Sequence, residues 1–278
     1  VIVGFGRMGG ALALKLKQAR WPVSVLPRSD DAVRRAARWG VPLADHDALK
    51  QCELCILAVP DGAIASVADH IEGDLGPKSA LVHLAGARDL NAFGSDPRIM
   101  RRRRGSFHPL AAVSDSRDAL DDHAVALAAS DPALMPVLWR MAMALHLKPF
   151  EVSEAHRALY HAGAVMAAGL TVSLLDAAVE AFSLAQVDKQ TALEALLPLV
   201  SSALRGVEAR GLTRGYTGPI PRGDVSTVEA HLKALPDELK HVYRVLSLRA
   251  LAALGGTLPK ETQVALGTAL TNVQLKPL

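Results

Sequence analysis

Val1-Ile2-Val3-Gly4-Phe5-Gly6-Arg7-Met8-Gly9-Gly10 opens the chain. A β-branched apolar run enters a glycine-rich turn, and Ala11-Leu12-Ala13-Leu14-Lys15-Leu16 continues it as a helix. The spacing is G-x-G-x-x-G between a strand and a helix, the context in which it marks a dinucleotide turn. Gly4 permits the tight turn, Gly6 admits a pyrophosphate to the backbone, and Gly9 allows close helix–strand packing. The N-terminus of the helix offers N–H groups to an anion. Gly4, Phe5, Gly6, Arg7, Met8 and Gly9 are therefore the expected phosphate cradle; the competing reading is a glycine-rich turn with no ligand. Three strand residues precede the turn and the chain does not begin with Met, so further residues are expected upstream.

Outward from this turn, strand and helix patterns alternate through the first half. Apolar strands are expected at Val23–Leu26, Leu54–Val59, Ala80–Leu84, Ser106–Pro109, Ala124–Ala128 and Lys148–Val152. Alternation of this kind implies an α/β fold with a doubly wound parallel sheet. After Val152 the texture becomes helical: one long helix from Ser153 to about Gln186, a second to about Ala209, a Gly- and Pro-rich loop over Gly211 to Asp224, then three more helices. Residues 1–152 are thus expected to form a Rossmann NAD(P)-binding domain and residues 153–278 an all-helical domain.

Composition narrows the function. Of 278 residues half are hydrophobic and only 4% aromatic, which suits a core of Ala, Leu and Val. A net charge of +3 gives no reason to expect a nucleic-acid partner. The Arg101-Arg102-Arg103-Arg104 run is either an anion-binding cluster or a solvated loop. No apolar run is expected to reach the roughly 18 residues of a membrane span; the most apolar stretch, Ala162 to Ala178, is interrupted by Gly163, Gly169, Ser173 and Asp176. Two cysteines give no disulfide framework and point to a cytoplasmic protein. They form Cys52-Glu53-Leu54-Cys55, but Cys55 enters a strand and does not open a helix, so packing is favoured over redox or metal chemistry. His46, His70, His123, His146 and His241 show no metal-like spacing with carboxylates, and no metal site is expected.

The residue after the second strand meets the adenosine ribose in this fold, where an acid favours NAD and an Arg favours NADP. Arg28 and Ser29 occupy that place and Asp30 is expected to cap the next helix, so NADP is the expected cofactor and NAD the second choice. Val59 and Pro60, at the end of another strand, are expected beside the nicotinamide ribose. Asp61 either contacts the ligand or caps a helix.

Four stretches together carry a resemblance: the glycine turn, Gly105-Ser106-Phe107-His108-Pro109-Leu110, Tyr160-His161-Ala162-Gly163-Ala164-Val165, and Thr217-Gly218-Pro219-Ile220-Pro221-Arg222-Gly223-Asp224 with Thr227 and His231. Their combination resembles a bacterial family of Rossmann-type oxidoreductases with a C-terminal domain of unknown function 2520, similar in architecture to pyrroline-5-carboxylate reductase and deazaflavin-dependent NADP reductases. The resemblance implies a helical domain related to that of 6-phosphogluconate dehydrogenase, a homodimer formed through it, and a small-molecule substrate. One position departs from the family pattern: Gly169 stands where an Asn is expected after the Tyr-His pair, which places catalysis, though not cofactor binding, in question.

Candidate chemistry follows from residue type. Hydride transfer to C=N or C=O needs a proton donor and groups that fix the substrate. His161 lies among the small residues Ala162, Gly163 and Ala164, and His108 is held extended by Pro109; each is a site residue or a hydrogen-bonded packing residue. Arg222 binds a substrate carboxylate or pairs with Asp224, which otherwise caps the following helix. The expected activity is NADP-dependent oxidoreduction of a small imine or carbonyl compound. The alternative is a nucleotide-binding regulatory or scaffolding protein on the same fold.

Overall fold

The computed structural model describes residues 1–115, 117 and 120–271; the last seven residues of the expected helical half lie outside them. Seven strands form one sheet: β1 (Ile2–Val3), β2 (Val25–Leu26), β3 (Leu54–Leu57), β4 (Ala80–His83), β5 (Arg104–Pro109), β6 (Ala124–Ala129) and β7 (Lys148–Glu151). Their order is β2-β1-β3-β4-β5-β6-β7. The chain runs outward from β1 to β2, then returns to place β3 on the other side of β1. That reversal creates a crevice at the carboxyl ends of β1 and β3, where open α/β sheets bind ligands.

Both faces of the sheet are buried, and alternate strand residues feed separate cores. Ile2, Leu54, Ile56, Ala80 and Val82 pack with Leu12, Ala36 and Leu138. These three come from α1 (Arg7–Gln18), α2 (Asp30–Arg38) and α6 (Met135–Ala144). Val3, Cys55, Leu57 and Leu81 pack on the opposite face with Ile64, Val67 and Ile71 of α4 (Ile64–Ile71). Two short helices, α3 (His46–Gln51) and α5 (Pro97–Met100), complete this layer. The period-2 alternation with both sides apolar is what a doubly wound sheet requires.

Several expectations are corrected. The sheet is parallel only through β5: β6 pairs antiparallel with β5, from Gly105↔Ala129 to Pro109↔Val125, and β7 follows β6 in parallel. No helix separates β5 from β6 among the described residues, so the chain lacks the crossover that a parallel pair needs. The long helix expected from Ser153 is divided into α7 (Arg157–Ala167) and α8 (Gly169–Leu184), with Ala168 between them at φ −109° and ψ −79°. The cap of α2 is Ser29, whose oxygen accepts from the Ala32 amide; Asp30 is already helical.

The chain divides into two compact units, Val1–Ala168 and Gly169–Leu278. The sheet ends near the expected boundary at Val152, but the first unit extends through α7, whose first residue, Arg157, is buried. In the second unit α8 packs on α9 (Lys189–Gly215). The helix α9 accommodates Pro198 and kinks at Gly211, at φ 78°. The loop expected after Gly211 is instead the end of α9 and a short α10 (Pro219–Arg222). The helices α11 (Val225–Ala234), α12 (Asp237–Leu254) and α13 (Lys260–Thr271) follow. Their core is Ile220, Val228, Leu232, Leu254, Leu266 and Leu270.

The apolar residues of α8 are left outside that core. The helical run Glu154–Leu184 has the length and composition to cross a membrane, with a hydropathy of 1.7 in its apolar window and none of that window buried. This corrects the expectation that no run would reach such a length: by length and composition alone the run qualifies despite Gly163, Gly169, Ser173 and the charged Asp176, although the break at Ala168 divides it.

Candidate functional site

The glycine turn stands at the crevice for steric reasons. Gly4 has φ +98°, and a Cβ there would lie 2.4 Å from the Ala58 carbonyl oxygen. A Cβ on Gly9 would lie 2.5 Å from the Gly4 carbonyl oxygen and 2.8 Å from the Ala58 Cβ. Both positions exclude any side chain, so the β1–α1 turn and the end of β3 meet backbone to backbone. Gly6 is the opposite case: it is exposed, and a Cβ there meets nothing within 4 Å. Gly6 caps α1 with no side-chain hydrogen bond, so no side chain takes the first-turn amides of the helix, the groups that bind an anion at a helix N-terminus. The cradle fits a dinucleotide pyrophosphate.

The turn is anchored from α2. Arg35 donates to the Phe5 carbonyl at 2.7 Å and is itself paired with Asp31. The Phe5 ring is buried against Trp39, with centroids 5.5 Å apart. Phe5 therefore offers a ligand only its backbone. Arg28 and Ser29 are exposed just beyond β2. Ser29 accepts from Ala32 as a cap and keeps its O–H as a donor. Arg28 borders a cavity of about 540 Å³ with Leu26 and Pro27 on one side and Ser66, Val67 and His70 of α4 on the other. Sequence reasoning missed Ser66 and His70, although their i, i+4 spacing places them on one helical face. Val59 and Pro60 follow β3 at the same edge of the sheet, and Asp61 opens a short helical turn.

Further along this edge, His108 and His161 come together. Their rings are 5.6 Å apart in an edge-to-face arrangement. Both press on Gly86 in the turn after β4: a Cβ there would lie 2.3 Å from His161 Cδ2 and 2.8 Å from His108 Nε2. The other nitrogen of His108, Nδ1, is 2.8 Å from the Tyr160 hydroxyl. Tyr160 stacks edge-on against Phe150. Burial lowers the His108 pKa to about 4, with the charges of His161 and Arg157 adding to the effect. Burial raises Tyr160 to about 12.

Beneath this pair lies a polar cluster that sequence reasoning did not single out. Arg157 is 1% exposed. Its Nη2 donates to the Ser106 hydroxyl at 2.6 Å and the Ala85 carbonyl at 3.2 Å, while its buried Nε and Nη1 have no partner. His83 is fully buried in β4, accepts from the Ala85 amide at Nδ1 and donates from Nε2 to the Asp89 carbonyl. Desolvation, then the charge of Arg157, lowers His83 to about 4. The Glu154 carboxylate accepts from the Leu90 amide at 2.5 Å. The available signal was Arg157, one turn before the Tyr160-His161 pair, in a helix that is otherwise apolar.

The remaining candidates are placed as follows. Arg222 and Asp224 belong to the second unit, at the α10–α11 turn. The Asp224 carboxylate caps α11, accepting from the Thr227 amide at 3.0 Å, the Thr227 hydroxyl at 2.6 Å and the Ser226 hydroxyl at 2.9 Å. These bonds, led by that of Thr227, hold it below the usual carboxylate range, and Arg222 contributes only as a nearby charge. Arg222 itself is exposed. His231 bonds the Tyr243 hydroxyl at 2.9 Å. The arginine run is divided by function: Arg102 binds Glu72 and the Gly76 carbonyl, Arg103 the Lys78 carbonyl and Arg104 the Leu90 carbonyl, while Arg101 is exposed. Cys55 is buried in β3, and Cys52 donates to the Leu49 carbonyl. Among the described residues no three potential metal ligands converge.

Fold and site together define a Rossmann domain for NAD(P) joined to a helical domain. Residues 1–85 match the NAD binding domain of 6-phosphogluconate dehydrogenase, and residues 123–250 match a domain of unknown function, DUF2520. The chain thus joins an NAD(P)-binding domain to a DUF2520 domain. Among solved structures it is similar to BF3122 of Bacteroides fragilis, provisionally named an NADP oxidoreductase (TM-score 0.71, 22% identity, covering 90% of this chain and 96% of that one). It is also similar to protein TM1727 of Thermotoga maritima (TM-score 0.70, 23% identity, 92% and 98% covered). A third likeness is the Plasmodium falciparum pyrroline carboxylate reductase with NADP bound (TM-score 0.62, 11% identity, 95% and 97% covered). At these identities the likeness is one of fold. A comparison with curated proteins finds no match.

Two predictions follow from the geometry. Gly6→Ala folds with an unchanged melting temperature but loses dinucleotide affinity, whereas Gly4→Ala loses stability by roughly 2 kcal/mol or more; thermal melts beside a nucleotide titration separate the two, and equal melting temperatures contradict the steric account. His83 and His108 resist protonation until about pH 4, whereas in the unfolded chain they take protons near 6.5. Stability is therefore complete above pH 6.5 and falls as the pH drops towards 4, by up to about 3 kcal/mol for the fully buried His83. Urea midpoints across this window show the fall in the native chain and a smaller one in His83→Gln; a flat profile contradicts it.

Proposed function

We propose that this chain is an NADP-dependent oxidoreductase that transfers hydride to or from a small imine or carbonyl compound. The observation that carries the reading is that the glycine cradle and the His108–Gly86–His161 cluster occupy one carboxyl edge of one sheet. When bound, the reduced nicotinamide supplies the hydride and leaves oxidised. The first turn of α1 holds the pyrophosphate over Gly6. Arg28, with the Ser29 hydroxyl, receives the 2′-phosphate, and the cavity walled by Ser66 and His70 takes the adenosine end. Val59 and Pro60 flank the nicotinamide ribose. His108 and His161 hold the carbonyl oxygen or imine nitrogen, which must gain a proton as its carbon gains hydride. In the second unit Arg222 is the residue proposed for an anionic group, and Asp224 keeps that turn in place.

The exposed apolar residues of the helices support a homodimer. Val172, Leu199 and Leu212 of the second unit, and Leu159 and Met166 of the first, are each more than 60% exposed, and clustered exposed apolar residues mark interaction surfaces. A second copy covers this surface on the proposed reading. Asp176 and the break at Ala168 weigh against burial in lipid. With both cysteines free, the cytoplasm is the proposed compartment. The second reading, a nucleotide-binding protein without turnover, rests on Gly169, which opens α8 in place of the expected Asn and has open space around it.

Nicotinamide fluorescence titration tests the cofactor assignment. NADPH is expected to bind in the micromolar range and NADH at least roughly tenfold more weakly, with Arg28→Ala removing the difference. Equal affinities in the native chain contradict the Arg28 assignment. Light scattering is expected to give twice the 29.4 kDa chain mass; a monomer overturns the dimer. Turnover is sought with an imine and carbonyl panel, and binding without any turnover selects the second reading.

A further inference from the structure

The two histidines of the proposed site are not equivalent, and their surroundings assign them different work. His108 is held between two partners. On one side its Nδ1 is 2.8 Å from the Tyr160 hydroxyl. On the other its Nε2 edge faces Gly86, where a Cβ would lie 2.8 Å from the nitrogen. The Tyr160 phenol stays protonated at neutral pH because burial raises it, and a partly buried phenol O–H seeks an acceptor. The pyridine-type nitrogen of a neutral imidazole is that acceptor. Of the two groups the phenol is the stronger acid and the imidazole nitrogen the stronger base, so O–H···Nδ1 is favoured over Nδ1–H···O. The arrangement therefore puts the imidazole proton on Nε2, at the edge facing Gly86.

Protonation of both nitrogens is opposed first by burial and then by the charges of His161 and Arg157. The groups acting on His108 are Arg157, Tyr160 and His161 of α7 and, across the sheet, His83 of β4. Arg157 is cationic, His83 is held neutral by its own burial, and Tyr160 is neutral. The buried guanidinium, tied to Ser106 and Ala85, cannot swing away to relieve the repulsion. Tyr160 and Arg157 sit three residues apart, on one face of α7.

We propose that Tyr160 and the buried cation of Arg157 fix His108 as a neutral imidazole carrying its proton on Nε2, so that His108 serves as a hydrogen-bond donor to the substrate carbonyl oxygen or imine nitrogen and not as the acid that surrenders a proton. A fixed neutral donor polarises the double bond towards hydride and needs no reprotonation between turnovers. The proton that completes the reduction then comes from His161 or from water. Tyr160 and Arg157 are positioning residues in this scheme. The proposal rests on the functional reading above for the substrate, but the state of the ring does not.

Long-range nitrogen–proton correlation spectra of the imidazole rings, on the full chain without ligand from pH 4 to 8, decide the ring state. His108 is expected to show a protonated Nε2 and a bare Nδ1 down to about pH 5, with its midpoint near 4. Tyr160→Phe, which removes one oxygen, is expected to mix the two tautomers, and Arg157→Lys to preserve the ring state by keeping the charge. A protonated Nδ1, or a midpoint near the unperturbed value of about 6.5, overturns the proposal. The donor role is read from turnover of the imine and carbonyl panel. His108→Gln keeps a side-chain N–H in place of Nε2–H but cannot titrate, and it is expected to retain roughly a hundredfold more kcat/KM than His108→Ala. A Gln variant as impaired as the Ala variant overturns the donor role. If no member of the panel is turned over by the native chain, the donor role falls with the functional reading, while the spectra still decide the ring state.

Discussion

The structure of the first unit depends on one contact that no side chain can enter: the approach of the Gly4 backbone to the Ala58 carbonyl. A Cβ on Gly4 would sit 2.4 Å from that oxygen, and a Cβ on Gly9 would meet both Gly4 and Ala58. Because nothing intervenes, the end of β1, the start of α1 and the end of β3 form one crowded corner. The corner sets the first turn of α1 at the crevice, with Gly6 and Arg7 exposed there. Arg35 holds the corner from outside by binding the Phe5 carbonyl. Everything proposed for the cofactor depends on this arrangement being rigid before any ligand arrives.

The second organising constraint is burial of charge. Arg157, His83 and His108 share a low-dielectric region at the carboxyl edge of β4 and β5. A buried cation without a full set of partners is costly, and here it raises the cost of protonating the two imidazoles. The outcome is that His83 and His108 stay neutral down to about pH 4. That suits chemistry in which negative charge develops on a substrate heteroatom. The same cluster links the turn after β4, strand β5 and helix α7 through Ala85, Ser106 and Arg157.

Much of the fold was legible because its signals are local. The G-x-G-x-x-G turn, the apolar strand runs and the Asp224 cap each depend on residues close in sequence. The failures have a different origin. The antiparallel pairing of β6 goes with the short connection from Pro109 to Ala124, which an apolar run such as Ala124–Ala128 does not report. The division of the helix at Ala168 lies in a stretch of small residues that propensity reads as continuous. Arg157 reads as a surface residue by type, and only tertiary packing makes it the most buried cation of the site. Tyr160 and Gly86 matter through what faces them, Nδ1 of His108 and the edges of two rings. Three consecutive arginines of the 101–104 run, Arg102, Arg103 and Arg104, bind carbonyl oxygens, a fate that charge density alone does not distinguish from an anion site.

A crystal structure of the chain with NADPH tests the central claim most directly. The account predicts the pyrophosphate over the first turn of α1 at Gly6, the 2′-phosphate against Arg28, and the reactive face of the nicotinamide beside the Nε2 edge of His108 and Gly86. A cofactor bound away from the glycine turn, or a nicotinamide directed away from His108 and His161, would contradict it.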